Sequence, residues 1–257
     1  MLSIYHWEPN ANSGKPLLAA NEKGVKFESH YLDMALLEHQ QPEYLAVNPQ
    51  GTIPAMIHDG VQIPESTAMM EYIDMAFEGP PLRPTDPFEL WRMRWWCRFF
   101  DMYFGPSVSQ FGWKFFIGPN ARERGIERVE AAIERLPLPE RRASWRKALY
   151  GQFSDEEIEE SRRRIIEGGQ MLEEALGKRP WLAGESYSIA DMVGFNMAGG
   201  VWGMVPEAIS MDVTPRVMDW LARIYARPAV KQTIGMARLE RMVKRYQDLE
   251  SKTGGAA

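Results

Sequence analysis

The chain has one cysteine, Cys97, in 257 residues. A single thiol excludes an internal disulfide framework and suits a reducing cytosol. No apolar run reaches the roughly 18 residues that span a bilayer. The start, "MLSIYHWEPNANS", has neither a basic n-region nor a long apolar core, so it does not read as a signal peptide. There is no basic surplus: the net charge is −5 and the pI near 5.6, which argues against nucleic acid as a partner. No cluster of the four histidines, the lone cysteine and the aspartates has metal-ligand spacing, and the glycines form no phosphate-cradling pattern. What is abundant is apolar and aromatic. The apolar content is 45%, with nine Trp and 16 Met, enough for a sizeable core and for a pocket of aromatic and polarisable side chains.

The first 79 residues alternate short strands with helices. "LSIYH" reads as a strand and "KPLLAANEKG" as a helix that starts at Pro16 and stops at Gly24. The polar turn before it, around Asn12 and Ser13, reads as a helix cap. "KFESHYLD" alternates as a half-buried strand, and "PEYLAVNPQG" is a short helix stopped at Asn48-Pro49. "IPAMIHDGVQIPES" is a hairpin around Asp59-Gly60, followed by the helix "STAMMEYIDMAF". The order is β-α-β-α-β-β-α. Next, "EGPPLRPTDP" places four prolines in ten residues, which cannot continue a helix and reads as an interdomain linker. From Asp86 onward the pattern is helical. The exceptions are "PLPERRASWRKALYGQF", irregular and basic, and the tail "ESKTGGAA", expected to be disordered. "AVKQTIGMARLERMVKRY" reads as one last helix. The expected domains are 1–79 and 86–257.

Three short motifs stand in this frame: "GTIPAM" at 51–56, "PEST" at 64–67 and "SIAD" at 188–191. With the order of elements and the proline-rich linker, they resemble the cytosolic glutathione transferases over nearly the whole chain. The resemblance implies an α+β two-domain glutathione transferase fold. Its N-terminal domain is thioredoxin-like (βαβαββα) and its C-terminal domain is all-α. The co-substrate it implies is glutathione, with two carboxylates, one ammonium and one thiol. In the family the proline equivalent to Pro54 follows a cis peptide, which leaves the backbone of Ile53 free to pair with the cysteinyl unit as an added strand would. Alone, without the flanking motifs, "IPA" reads rather as a plain strand proline. The γ-glutamyl carboxylate is seated at the helix start on Ser66, where free N–H groups attract anions, and Glu65 meets the ammonium. Ser66 also reads as an N-cap. For the glycyl carboxylate, family position points to His39 or Gln40, with Gln41 and Gln50 nearby; taken alone, His39 reads as a solvent-exposed loop residue. "SIAD" is similar to the family's structural capping box, so Ser188 and Asp191 are left out of the site. Some branches use a cysteine in the first β-α loop, but here that loop has Asn12 and Ser13. Cys97 reads instead as a small buried hydrophobe, and His6, His30 and His58 as structural. Ser13 is the first candidate to hold the glutathione thiolate, and Asn12 the second.

Trp91, Trp95 and Phe99 fall on one helical stripe, and the aromatics continue through Phe111, Trp113, Phe115, Phe116 and Trp202. A stripe of this kind is usually core. The equivalent helix of the family, however, lines the electrophile site, which implies a hydrophobic, aromatic second substrate.

Within the family, "ANSGKPL", "HDG…ESTAMMEYI", "LRPTDPFELWRMRWW" and the insertion "RLPLPERRASWRKALYGQFSDEEIEE" resemble the F-type of the bacterial β-etherase branch of lignin breakdown. That branch implies thiolate attack on the β-carbon of a β-aryl-α-keto ether, with loss of a phenol and formation of a glutathione thioether. It also implies a cytoplasmic homodimer with neither a membrane nor a nucleic-acid partner; pairing with a non-identical chain stays open. Two other readings remain at this point: a transferase or peroxidase for other hydrophobic electrophiles, and a non-catalytic binding protein of the same fold. Retention of Ser13, Pro54, Glu65 and Ser66 weighs against the last.

Overall fold

The computed structural model describes residues 1–253. A four-stranded sheet has the order β2-β1-β3-β4. It is built from β1 (Leu2–His6), β2 (Glu28–Tyr31), β3 (Ala55–His58) and β4 (Val61–Ile63). β1 runs parallel to β2 and antiparallel to β3, with Ile4 opposite Met56 and Met56 opposite Ile63. Period-2 alternation puts Leu2, Ile4 and His6 on the buried face. The β3–β4 turn has positive φ at both Asp59 and Gly60, the geometry that an Asp-Gly hairpin turn favours. Helices α1 (Ala11–Lys23) and α3 (Ser66–Ala76) pack together and bury Leu17, Leu18, Met69, Met70 and Ile73. The short α2 (Pro42–Val47) closes the unit. The sequence-derived order β-α-β-α-β-β-α is the observed one.

The proline-rich stretch is tied to both sides. Lys23 Nζ donates to Asp74 Oδ1 (2.8 Å) and to the Pro80 carbonyl (3.1 Å). Leu82 is buried, and its carbonyl accepts from Ile189 N–H. The Asp86 side chain then caps α4 (Pro87–Phe99), accepting from the N–H groups of Phe88 and Glu89 at 2.9 Å.

Helical backbone continues from 87 to 123 through α5 (Gly105–Gly112) and α6 (Gly118–Glu123). Two wider π turns interrupt it, at Phe100–Phe104 and Trp113–Ile117, where Gly105 N–H bonds to Phe100 O and Gly118 N–H to Trp113 O. Each lies one turn ahead of a proline, Pro106 or Pro119. A proline ring clashes with the carbonyl four residues earlier and supplies no N–H; a wider turn relieves both problems.

The rest of the second domain consists of α7 (Ile126–Ile133), α8 (Pro139–Leu149), α9 (Asp155–Leu176), α10 (Ile189–Ala198), α11 (Pro215–Tyr225), α12 (Pro228–Ile234) and α13 (Glu240–Lys252). α10 is buried on every face. At its start Asp191 accepts from Leu182 N–H, Ser188 N–H, Ser188 Oγ–H and Trp220 Nε1–H, all within 3.1 Å, a structural role as expected.

Four boundaries differ from the sequence reading. α1 starts at Ala11, one turn and more before Pro16, so Asn12 and Ser13 lie inside the helix. The segment taken as irregular folds as α8. The last helix is two, α12 and α13. The tail is helical to Lys252, and the part of it at 254–257 lies outside the described residues.

α1 is the seam between the halves, packing against α3 on one side and against α10 and α12 on the other. Asn21 Nδ2 donates to Thr233 Oγ1 (2.8 Å). Arg227 grips Glu22 with two bonds of 2.6 and 2.8 Å. The buried Glu8 accepts from Tyr31 Oη (2.7 Å) and from the backbone N–H groups of Arg238 and Leu239.

Candidate active site

A polar cleft of about 230 Å³ opens between the β1–α1 junction, the 48–55 segment and the start of α3. It brings together Asn12, Gln50, Ile53, Pro54, Glu65 and Ser66, six of the residues singled out in the sequence. The Ile53-Pro54 bond is cis. Ser66 is the first residue of α3 rather than its cap. Glu65 holds the cap position, with φ 65° and no side-chain capping bond. The first N–H groups of α3 are therefore left without an intrahelical partner, and the helix dipole adds positive potential there. Ser66 Oγ–H donates to Asn12 Oδ1 across the cleft, 3.4 Å, which leaves the Asn12 amide hydrogens for other partners.

Ser13 follows Asn12 in α1, is 7% exposed and does not line the cleft. Its Oγ accepts from Trp7 N–H at 3.3 Å. It is therefore no helix cap: that place belongs to Asn10, whose side chain makes no capping bond. With its acceptor side engaged, the Ser13 O–H hydrogen is left to donate elsewhere. Gly14 explains the tight fit of this turn. A Cβ there would lie 1.8 Å from Asn196 Oδ1 of α10 and 2.8 Å from the Pro9 carbonyl, so α10 presses directly on the backbone behind Ser13.

Trp7 also borders a second, apolar cavity. Its other walls are Met34 and Leu37 from the β2–α2 connection, Ile117, Asn120 and Ala121 from the end of the long helix, and Val129 and Trp145 from α7 and α8. Ser13 itself lines neither cavity: its neighbour Asn12 faces the polar cleft, and its hydrogen-bond partner Trp7 borders the apolar one. None of the aromatic residues of the helical run from 87 to 123 lines that hole. Phe88, Trp91, Trp95 and Met102 are exposed on another face, and Phe111 is core. Phe115 and Phe116 lie on the surface, and Trp113 packs edge-on against Trp145. Trp202 packs against the large core of the second domain.

His39 and Gln40 are outside the cleft. His39 is 3% exposed, not a surface loop residue, and its ring stacks on Trp145 with centroids 5.7 Å apart. Burial, and then the charge of Arg141, push its pKa down to about 4, so the ring is neutral at pH 7. Gln40 is fully buried. Cys97 is buried too, and that burial raises its thiol pKa well above the usual range, so it is no nucleophile. Among the described residues no group of three His, Cys, Asp or Glu side chains could hold a metal, and no helix is long and apolar enough to cross a membrane.

Lys15 went unnoticed in the sequence. It is fully buried two residues after Ser13, with Nζ 2.5 Å from Asp101 Oδ1 and 3.2 Å from Thr67 Oγ1. Burial lowers its pKa and Asp101 opposes the shift. A lysine in the otherwise apolar stretch "GKPLLAA" is the signal that could have found it.

Comparison with known proteins fits this geometry. Residues 11–76 match the glutathione S-transferase N-terminal domain and residues 107–228 the glutathione S-transferase C-terminal domain. Protein LigF of Sphingobium sp. strain SYK-6 is 36% identical over 253 residues, 96% of this chain and 98% of that one. The crystal structure of that beta-etherase superposes with a TM-score of 0.88 at 37% identity, covering 92% of this chain and 99% of the other. Glutathione S-transferase F9 of Arabidopsis thaliana is 28% identical over 87% of this chain and 92% of its own. A glutathione transferase homologue from Sulfitobacter, solved with bound glutathione, shares the fold at a TM-score of 0.65 and 20% identity, over 90% of this chain and 96% of that one. With a sheet, a cis-proline cleft and an all-helical second half to match, the chain belongs to the glutathione S-transferase family.

Proposed function

We propose that this protein is a glutathione-dependent β-etherase of the cytoplasm, acting on lignin-derived β-aryl-α-keto ethers. Its glutathione-binding domain is 1–79 and its substrate-binding domain 86–257. The observation that carries the reading is the full-length likeness to LigF, described as a beta-etherase. The cis-proline cleft lined by Asn12, Ile53, Glu65 and Ser66 supports it. In this reading glutathione lies along the cleft, its cysteinyl unit on the Ile53 backbone before Pro54 and its γ-glutamyl end at Ser66 and Glu65. A free thiol has a pKa of about 8.5. Donation from Ser13 O–H, with Asn12 and the start of α1 assisting, holds the sulfur as thiolate near neutral pH. The thiolate attacks the β-carbon of the bound ether. The C–S bond forms as the C–O bond breaks, and the electron pair leaves with the phenolate, which takes a proton from water. Alignment of sulfur, carbon and leaving oxygen supplies much of the rate.

The test mixes the protein, glutathione and a model β-aryl-α-keto ether bearing a fluorescent phenol. Phenol release is expected. No release, with conjugation of a chlorinated nitroaromatic intact, would leave a transferase for other electrophiles.

The protein acts as a homodimer through α4 in this proposal. Phe88, Trp91, Trp95 and Met102 recur at helical spacing and stay exposed, Trp91 by 60%. Arg94 bridges to Glu71 of α3, one turn before the exposed Met75. A surface hollow of about 390 Å³ lies among Trp95, Arg98, Phe99, Met102, Tyr103 and Met171. A continuous apolar face of this kind marks an interface. Trp91→Glu is expected to give a particle of 29.5 kDa in sedimentation, where the parent sediments at twice that mass.

A further inference from the structure

The proposed glutathione seat accounts for one carboxylate, at the start of α3, and leaves the glycyl carboxylate without a cation. Of the residues expected to supply a donor there, Gln50 lines the cleft but carries no charge, and the two favoured by position are turned away. His39 lies neutral beneath Trp145, and Gln40 is buried beside it. Leu138, Glu140 and Arg141, at the start of α8, enter the cleft instead. Arg141 is the one cation among the residues that line it.

Its neighbours on the insertion are committed elsewhere. Arg146 pairs with Glu130 and Glu134, and Arg142 donates to the carbonyls of Leu136 and Pro137. Arg141 forms no ion pair among the described residues and keeps an exposed side chain. Arg141 lines the same cleft as Ser66 and Glu65, the proposed seat of the γ-glutamyl end. An extended tripeptide spans about 10 Å, and glutathione carries its carboxylates at opposite ends.

The arm that carries Arg141 is fixed to the first domain. Trp145 of α8 stacks on His39, and Leu37, Val129, Leu136, Trp145 and Leu149 share a small core of their own. Leu136 packs over Gly51, where a Cβ would come within 3.2 Å of it, and the φ of +60° also favours glycine.

We propose that Arg141, delivered by the insertion that contains α8, binds the glycyl carboxylate of glutathione, so that the second domain completes the peptide site. A planar guanidinium suits a carboxylate through two parallel bonds. This inference rests on the glutathione reading above, and the test separates the two. Binding of glutathione and of its glycyl monoethyl ester is measured by titration calorimetry on the full-length protein and on Arg141→Ala, whose side chain is exposed and whose fold should be retained. The parent should prefer glutathione over the ester by about tenfold. Arg141→Ala should bind glutathione about tenfold more weakly and the ester unchanged. Equal weakening of both ligands, or of neither, overturns the role of Arg141 while leaving the glutathione reading in place. A parent that binds neither ligand overturns both.

Discussion

Ser13→Ala is expected to lower turnover about 100-fold while leaving glutathione affinity within about twofold, the effect of removing one donor aimed at developing charge. The hydroxyl already accepts from Trp7 N–H, so it has one hydrogen left to give. A donor to the thiolate lowers the pKa of the bound thiol; its loss moves the rise of activity to higher pH by about one unit or more. Steady-state rates across pH, with glutathione affinity measured separately, check this. A drop in affinity at unchanged turnover would make Ser13 a binding group. Activity that survives intact would assign the thiolate to Asn12 or to the backbone N–H groups at the start of α1.

Asp101→Ala should destabilise the fold by about 3 kcal/mol, because it leaves the fully buried Lys15 ammonium without its carboxylate. The figure sits at the low end for a broken buried pair because the Asp101 side chain is 34% exposed. Lys15→Met should change stability by only about 1 kcal/mol, since methionine fills a similar volume and the remaining carboxylate reaches solvent. Combined with Lys15→Met, Asp101→Ala should cost far less than it does alone. Urea unfolding of the four proteins checks the cycle; strict additivity would mean that the two side chains do not depend on each other.

Local chemistry made much of the fold legible. The Asp59-Gly60 turn, the four prolines of the linker and the alternation of β1 each carry their structure in a few neighbouring residues. α8 could not be read that way. Only Trp145, Ala148 and Leu149 are buried on it, too few for a clear period, and its helix depends on contacts with α6, α7 and the first domain. The start of α1 misled for a related reason. Capping chemistry pointed to Asn12 and Ser13, but the entry is set by Asn196 of α10 pressing on Gly14. His39 is buried by a tryptophan far along the chain, and Lys15 by an aspartate 86 residues away. The stripe on α4 showed that a face existed. Periodicity does not say whether such a face meets a cavity, a core or a second copy of the chain.

The way α1 is shared has a consequence for recombination between relatives. Its front carries Ser13; its back is held by Asn196, Thr233 and Arg227 of the second half. A chimera that took residues 1–79 from a relative would keep the groove yet lose the ties behind the turn that carries Ser13. The heritable module is the first domain together with α10, α12 and the Arg238–Leu239 backbone that grips Glu8, a unit continuous in space and broken in sequence.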